Sequence, residues 1–296
     1  MPDHKVIGNL SKPIALLLVI LAAEGMYVAA PRIPLLFSRL EVSILSPLCT
    51  EIYPVYVTLD GRPLTNLEEA NFEVTADNHP VQFRLVRNRT INAMVLLDTS
   101  GSMAAPSKIE AGKEMTRFVA DTAIRSGGEV AFITFSDKID EECNWTDNID
   151  IVNHAINDLQ GSGSTRLWDA IKESVPYLQA MHDSKPCQLA LLVVISDFMD
   201  TGSETSQEEA LTGLKKTDTF AVAIVYGSVF DASLTSAEAV AKATHGRSLR
   251  ANDAKEAISQ LQKLLESIYY VEIKEKGHIK ITVRYMERTG SDEIDS

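Results

Sequence analysis

Basic residues are scarce in this sequence: 28 Lys and Arg stand against 41 Asp and Glu, for a formal net charge of −13. Binding to a phosphate backbone depends on clustered cations, so nucleic acid is excluded as a leading partner. An acidic surface suits divalent cations or basic partners, and its commonest meaning is solubility. Cysteine is nearly absent. Cys49, Cys143 and Cys187 are odd in number and widely spaced, with no Cys-x-x-Cys zinc pattern. Each reads as a small buried hydrophobe; one disulfide can form in an exported protein, but the sequence does not pair it. Glycine and proline are modest at 15 and 11, so nothing indicates disorder apart from the ends. The 45% hydrophobic content is enough for one large domain and a smaller one.

Long apolar runs are also missing, with one exception. Ile14 to Ala23 reads IALLLVILAA, after Lys5 and Lys12 and before Glu24. A membrane span needs about 20 apolar residues, so this shorter run fits the core of a signal peptide. Cleavage after Ala23 or within Tyr27–Ala30 leaves an exported protein; an uncleaved run leaves an N-terminal anchor. Residues 1–30 are therefore read as signal peptide or anchor. Cys49 lies too far along the chain to be a lipid attachment site beside that run.

What is present divides by rhythm. Residues 50–90 carry short β-rich pieces, VYVTL and FEVTA, with turn signals at Asp60-Gly61 and Asp77–Pro80. Residues 268–288 read as two more strands around Lys276-Gly277. These flanking segments suggest one small β-sandwich-like module built from both ends of the chain, or extensions of a central sheet. Residues 289–296 read as a disordered tail. Between them, residues 91–267 alternate strand and helix: AMVLLD, a helix over 108–127, EVAFITFS, helices over 149–159 and 165–181 with Pro176 able to kink the second, LALLVVISD, and onward to a helix capped by Asp253 and Glu256. Near-continuous apolar strands alternating with helices imply an α/β fold, a doubly wound, mostly parallel sheet.

In such a sheet ligands bind beyond the carboxyl ends of the strands. Asp98 closes AMVLLD and is followed at alternate positions by Ser100 and Ser102; Asp197 closes LALLVVIS; Thr165 opens a helix after the Gly161–Ser164 loop. Two carboxylates and three hydroxyls from three separated segments are hard oxygen donors suited to Mg2+, with room for water and one outside oxygen. Taken singly, each has a plainer reading: an Asp after a strand forms turns, a Thr before a helix caps it. In this order and at strand ends, they read together as a metal site.

That order, Asp98-x-Ser100-x-Ser102, then Thr165, then Asp197, resembles the metal-ion-dependent adhesion site of von Willebrand factor type A (VWA) domains, over residues 91–267. The lead-in DGRP…NFEV resembles that found before such domains in secreted bacterial proteins. The resemblance implies a Rossmann-like fold and an adhesion-type, protein-binding function. In it Ser100, Ser102 and Thr165 are direct ligands of Mg2+ (or Mn2+ or Ca2+), with Asp98 and Asp197 direct or acting through water. A partner's Asp or Glu carboxylate completes the coordination. It further implies that metal occupancy can be coupled to the last helix. Phe198 departs from the pattern, standing where the family usually has Gly. Ala104, Ala105 and Pro106 carry no carboxylate for an adjacent second ion.

Other chemistry has less support. Gly161–Thr165 lacks the Lys of a phosphate-binding loop, no Gly-x-Ser-x-Gly elbow occurs, and Met199 occupies a required ligand position of the calcium-loop-like Asp197–Glu204. His154, His182 and His245 fall in or beside helical patterns, not where a general base is needed. The chain is thus expected to be an exported binding module and not an enzyme. One rival is a VWA subunit docking an AAA+ chaperone or chelatase; a metal-dependent hydrolase ranks below it.

Overall fold

Residues 39–295, other than 46, 50 and 228–230, are described by the computed structural model. The signal or anchor expected over 1–30 lies outside the described residues. Among those described, no helix is long and apolar enough to cross a membrane.

The chain first lays down short strands: β1 (Leu40–Ile44), β2 (Ile52–Leu59), β3 (Arg62–Pro63), β4 (Phe72–Ala76), β5 (His79–Pro80) and β6 (Phe83–Val86). It then enters the alternating region: β7 (Ile91–Asp98), α1 (Pro106–Arg125), β8 (Val130–Phe135), β9 (Ile139–Thr146), α2 (Ile149–Asn157), α3 (Leu167–Ser184), β10 (Leu189–Ser196), α4 (Gln207–Leu214), β11 (Phe220–Tyr226), α5 (Asp231–Ala243), β12 (Arg247–Ala251) and α6 (Ala254–Glu266). Three strands follow: β13 (Ile268–Ile273), β14 (His278–Tyr285) and β15 (Arg288–Asp295).

The alternating region forms one six-stranded sheet in the order β12-β11-β10-β7-β8-β9, parallel except for β9. Every residue of β10 is buried, as its unbroken apolar run requires of a central strand covered on both faces. One face packs on α1, α2 and α6, the other on α3, α4 and α5, giving two separate apolar layers. Strand order reverses between β7 and β10, so the crevice above that pair is the place for a ligand. The α3 helix runs through Pro176 to Ser184. At α6 the Asp253 side chain accepts from the Glu256 amide at 2.8 Å, and Glu256 reaches back to the Asn252 amide at 2.9 Å.

The flanking strands extend no central sheet. They make two of their own: β1-β2-β13-β6 with β3 beside β2, and β15-β14-β4-β5. Alternation explains how these layers stack. Along β2, Tyr53, Val55 and Val57 face a core shared with β4 and β14, while Ile52 and Tyr56 face the core of the alternating region. Along β13, Tyr269, Val271 and Ile273 point one way, Ile268 and Tyr270 the other. The first sheet is therefore buried on both faces, and α6 runs into it through Ser267 alone.

Two boundaries differ from expectation. The module begins at Leu40 instead of residue 50, and residues 289–295, read as part of a disordered tail, form β15 with Arg288 against β14. Asp292 also accepts from the Ile44 amide at 2.8 Å. The cysteines differ too. Cys49 and Cys187, expected as small hydrophobes, form a disulfide across 138 positions, tying the segment before β2 to the loop before β10. Cys143 is buried and free, as expected.

Candidate metal centre

The site is assembled at the carboxyl ends of β7 and β10 from loops that hold one another. Asp98 is fully buried at the end of β7. Its Oδ1 accepts from the Ser100 amide at 2.8 Å, and its Oδ2 accepts from the Ser196 hydroxyl at 2.5 Å. The Ser100 and Ser102 hydroxyls lie 3.1 Å apart, Ser100 buried and Ser102 at the surface, so the alternate spacing does turn both toward one point. Asp197 follows β10 directly; its Oδ1 accepts from the Met199 amide at 3.2 Å.

Thr165 arrives through backbone stitching. The Ser162 amide donates to the Thr99 carbonyl at 2.7 Å and the Gly101 amide to the Gly163 carbonyl at 3.0 Å, fastening this loop to the Asp98 loop. On the other side the Thr201 and Gly202 amides both donate to the Thr165 carbonyl, while the Thr165 amide donates to the Thr201 hydroxyl at 3.0 Å. Glycine is required here. A Cβ at Gly161 would stand 2.5 Å from the Ala104 backbone, and Gly163 adopts φ +82. All five expected residues thus come to one end of the sheet. Contacts join Asp98, Ser100 and Ser102 closely, and place Asp197 and Thr165 on the two adjoining loops.

Burial pushes the Asp98 carboxyl up to about 6; hydrogen bonds from Ser100 and Ser196 pull it back in part, and the charge of Asp197 adds to the rise. No Lys or Arg forms an ion pair with Asp98 or Asp197 among the described residues. Two neighbouring carboxylates without a counter-charge, beside hydroxyls, form a donor set that a small divalent cation fits. Thr165 Oγ1 and Asp197 Oδ2 have no hydrogen-bond partner among the described residues, leaving both free to coordinate. Both oxygens of Asp98 already accept a bond, which suits it to act through water. No cluster of three His, Cys, Asp or Glu that could hold a metal occurs among the described residues.

Sequence reading missed the residues that brace this arrangement. Ser196 is one: a polar residue ending an apolar strand, it links Asp98 to the Phe198 amide, which donates to it at 2.8 Å. The 200–205 loop is the other. Asp200 Oδ1 accepts from the Leu167 amide at 3.0 Å, and Ser203 Oγ accepts from the Trp168 amide at 3.0 Å, so a distant loop caps α3. Asp169, buried in the first turn of α3, accepts from the Glu204 and Thr205 amides at 3.0 and 2.8 Å and from Arg166 Nε at 2.7 Å. Burial acts to raise its carboxyl, but the Thr205 hydroxyl, the two amides and Arg166 outweigh it and hold it down at about 2. Phe198 has φ 58 and is buried among the side chains beneath α3 and α4. The backbone there takes the left-handed turn natural to Gly, and burial of the Phe198 ring holds it.

Comparison with known proteins agrees with this fold. Residues 93–200 match the model of the von Willebrand factor type A domain. No curated protein matches the sequence. Among solved structures, a von Willebrand factor type A protein from Catenulispora acidiphila aligns at a TM-score of 0.51 and 12% identity, covering 87% of this chain and 72% of that one. Proximal thread matrix protein 1 from the mussel byssus aligns at 0.50 and 14% identity, covering 64% of this chain and 50% of that one. That mussel protein has also been solved with a zinc-occupied metal-ion-dependent adhesion site motif. At these identities the likeness is one of fold. The stretch 93–200, with Asp98, Ser100, Ser102, Thr165 and Asp197 at one end of its sheet, matches the von Willebrand factor type A domain, and it lies within a larger α/β and β architecture.

Proposed function

We propose that the protein is a metal-dependent protein-binding module, in which a divalent cation, Mg2+ in the first instance, sits at the Asp98 site and a partner's Asp or Glu carboxylate completes its coordination. Ser100, Ser102 and Thr165 would supply direct oxygen ligands, with Asp98 and Asp197 direct or acting through water. The bound cation would supply a positive point charge at the surface; the chain's own residues orient it and limit how many water molecules it keeps. The observation that carries this reading is the unneutralised carboxylate pair, Asp98 with Asp197, facing hydroxyls at the strand-order reversal. Three hydroxyls against two carboxylates leave such an ion more positive than a cage of acids would, and so attractive to an anionic ligand.

The same features favour binding over catalysis. No histidine stands in the loops that carry the five residues, and His182 and His245 stand near or beyond the far ends of α3 and α5. A hydrolase would need a general base there, and the two carboxylates that could serve, Asp98 and Asp197, are engaged by the cation in this reading. The Cys49–Cys187 disulfide favours an exported protein, since such bonds persist in oxidising compartments, and so weighs against a cytoplasmic subunit of an ATP-driven machine. The test is paramagnetic: with Mn2+ bound, the side-chain resonances of a glutamate in an added peptide broaden, and glutamine at that position abolishes the effect. Equal broadening with glutamine would overturn the carboxylate bridge.

A further inference from the structure

The rim of the site carries two opposite charges on opposite sides. Lys108, in the first turn of α1, donates from Nζ to the Ser102 carbonyl at 2.9 Å. A Cβ placed on Gly227, which follows β11, would lie 3.0 Å from that same nitrogen, so the ammonium stands over the β11 end of the sheet. No carboxylate pairs with it among the described residues. On the other side Asp137, exposed in the turn after β8, stands against the Gly163 loop: a Cβ on Gly163 would lie 2.6 Å from Asp137 Oδ1. The partner of that carboxylate in the structure is the Ser136 hydroxyl at 3.1 Å, and no cation pairs with it among the described residues.

Sheet order turns this into a ruler. The strands run β11, β10, β7, β8, with Lys108 over the first, Asp197 and Asp98 ending the middle two, and Asp137 beyond the last. Three strand spacings of ~4.8 Å put the two charges about 14 Å apart, with the metal position about midway. An extended peptide advances ~3.3 Å per residue, so each rim charge lies about two residues from the residue at the centre.

We infer that the site is built for a protein segment of mixed charge: an Asp or Glu at the metal, a second acidic residue two positions to one side facing Lys108, and a Lys or Arg two positions to the other facing Asp137. This rests on the carboxylate-bridging reading above and adds what that reading lacks, the chemistry of the flanks. Either chain direction satisfies it, so the two charge orders are separate arms of one test. Net acidity elsewhere on the protein attracts basic partners without register; the two rim charges supply the register.

The test measures binding of dye-labelled nonapeptides to the full chain in saturating Mg2+ by fluorescence anisotropy. All share a central Glu in a Gly/Ser host. Their flanks at −2 and +2 are Glu/Lys, Lys/Glu, Gly/Gly and Glu/Glu. One of the two mixed-charge peptides is expected to bind about tenfold more tightly than Gly/Gly, the size two partly exposed ion pairs supply. Lys108→Glu and Asp137→Lys are each expected to bring that ratio to about one or below. Lys138→Gln, the next residue in the same turn as Asp137, leaves it in place. Melting curves confirm that each variant is folded, and the peptide series itself needs no variant. Equal, Mg2+-dependent affinities across the four peptides overturn the charged rim and leave the carboxylate bridge standing. Binding of none of them to the metal-loaded protein overturns both.

Discussion

Asp98 and Asp169 lie at the same end of the same domain, each almost out of contact with water, and the protein treats them oppositely. Asp169 is answered from within: the Thr205 hydroxyl, two loop amides and the Arg166 guanidinium surround it, and its carboxyl is held at about 2. Asp98 receives one amide and one serine hydroxyl, faces a second carboxylate, and is pushed up to about 6. A buried charge left in this state is costly unless something outside the chain neutralises it. The difference separates a carboxylate that the chain's own donors satisfy from one that, in the proposed function, awaits a cation.

The comparison can be broken most forcefully at Asp169. Asp169→Ala strips the partner from Arg166 and from two loop amides, and is expected to cost about 3–5 kcal/mol in urea unfolding. Metal should not restore that loss. Asp98→Asn acts in the opposite direction: in metal-free protein at pH 7 it is expected to stabilise by roughly 1–3 kcal/mol, because a desolvated charge is removed while the shape is kept. Chemical denaturation with chelator present decides the sign.

The two groups also part with pH. Asp98 has a raised folded value, so its contribution is full below the ordinary 3.8 and is lost as pH rises through about 6. The advantage of Asp98→Asn over the parent should therefore be present at pH 7 and fade as pH falls from about 6 to 4. Asp169 has a depressed folded value, so its contribution is present above 3.8 and is lost as pH falls toward about 2. The deficit of Asp169→Asn should shrink only in that lower window. Unfolding curves of both variants and the parent from pH 2 to 7 test the pair together.

The smallest expected effect concerns the backbone beside Asp197. Phe198 holds φ 58 with a buried ring, so Phe198→Ala and Phe198→Gly both lose packing. Glycine alone relieves the left-handed turn, and Phe198→Gly should be the more stable of the two by about 1 kcal/mol. An unfolding difference of the opposite sign would show that strain there is negligible.

What the sequence made legible was local. Asp98, Ser100 and Ser102 lie within five positions, and the apolar run of β10 announces a central strand without help from elsewhere. What escaped it was long-range. Ser196 reaches Asp98 across 98 positions, Asp200 caps α3 across 33, and Cys49 meets Cys187 across 138. The last strand escaped for a different reason. RTGSDEID has no apolar alternation, and β15 exists through backbone pairing with β14 and the Asp292 bond to β1, which composition does not reveal. At Phe198 the sequence showed an unusual residue, and only the backbone angle explains what it replaces.

Calorimetric titration of the protein with Mg2+ and Mn2+, read beside thermal melting of the same samples, tests the central claim most directly. The account predicts saturable heat and a raised melting temperature in the parent. It predicts that Asp98→Ala loses both while its circular dichroism is unchanged. Neither heat nor stabilisation in the parent, or an equal response in Asp98→Ala, would contradict it.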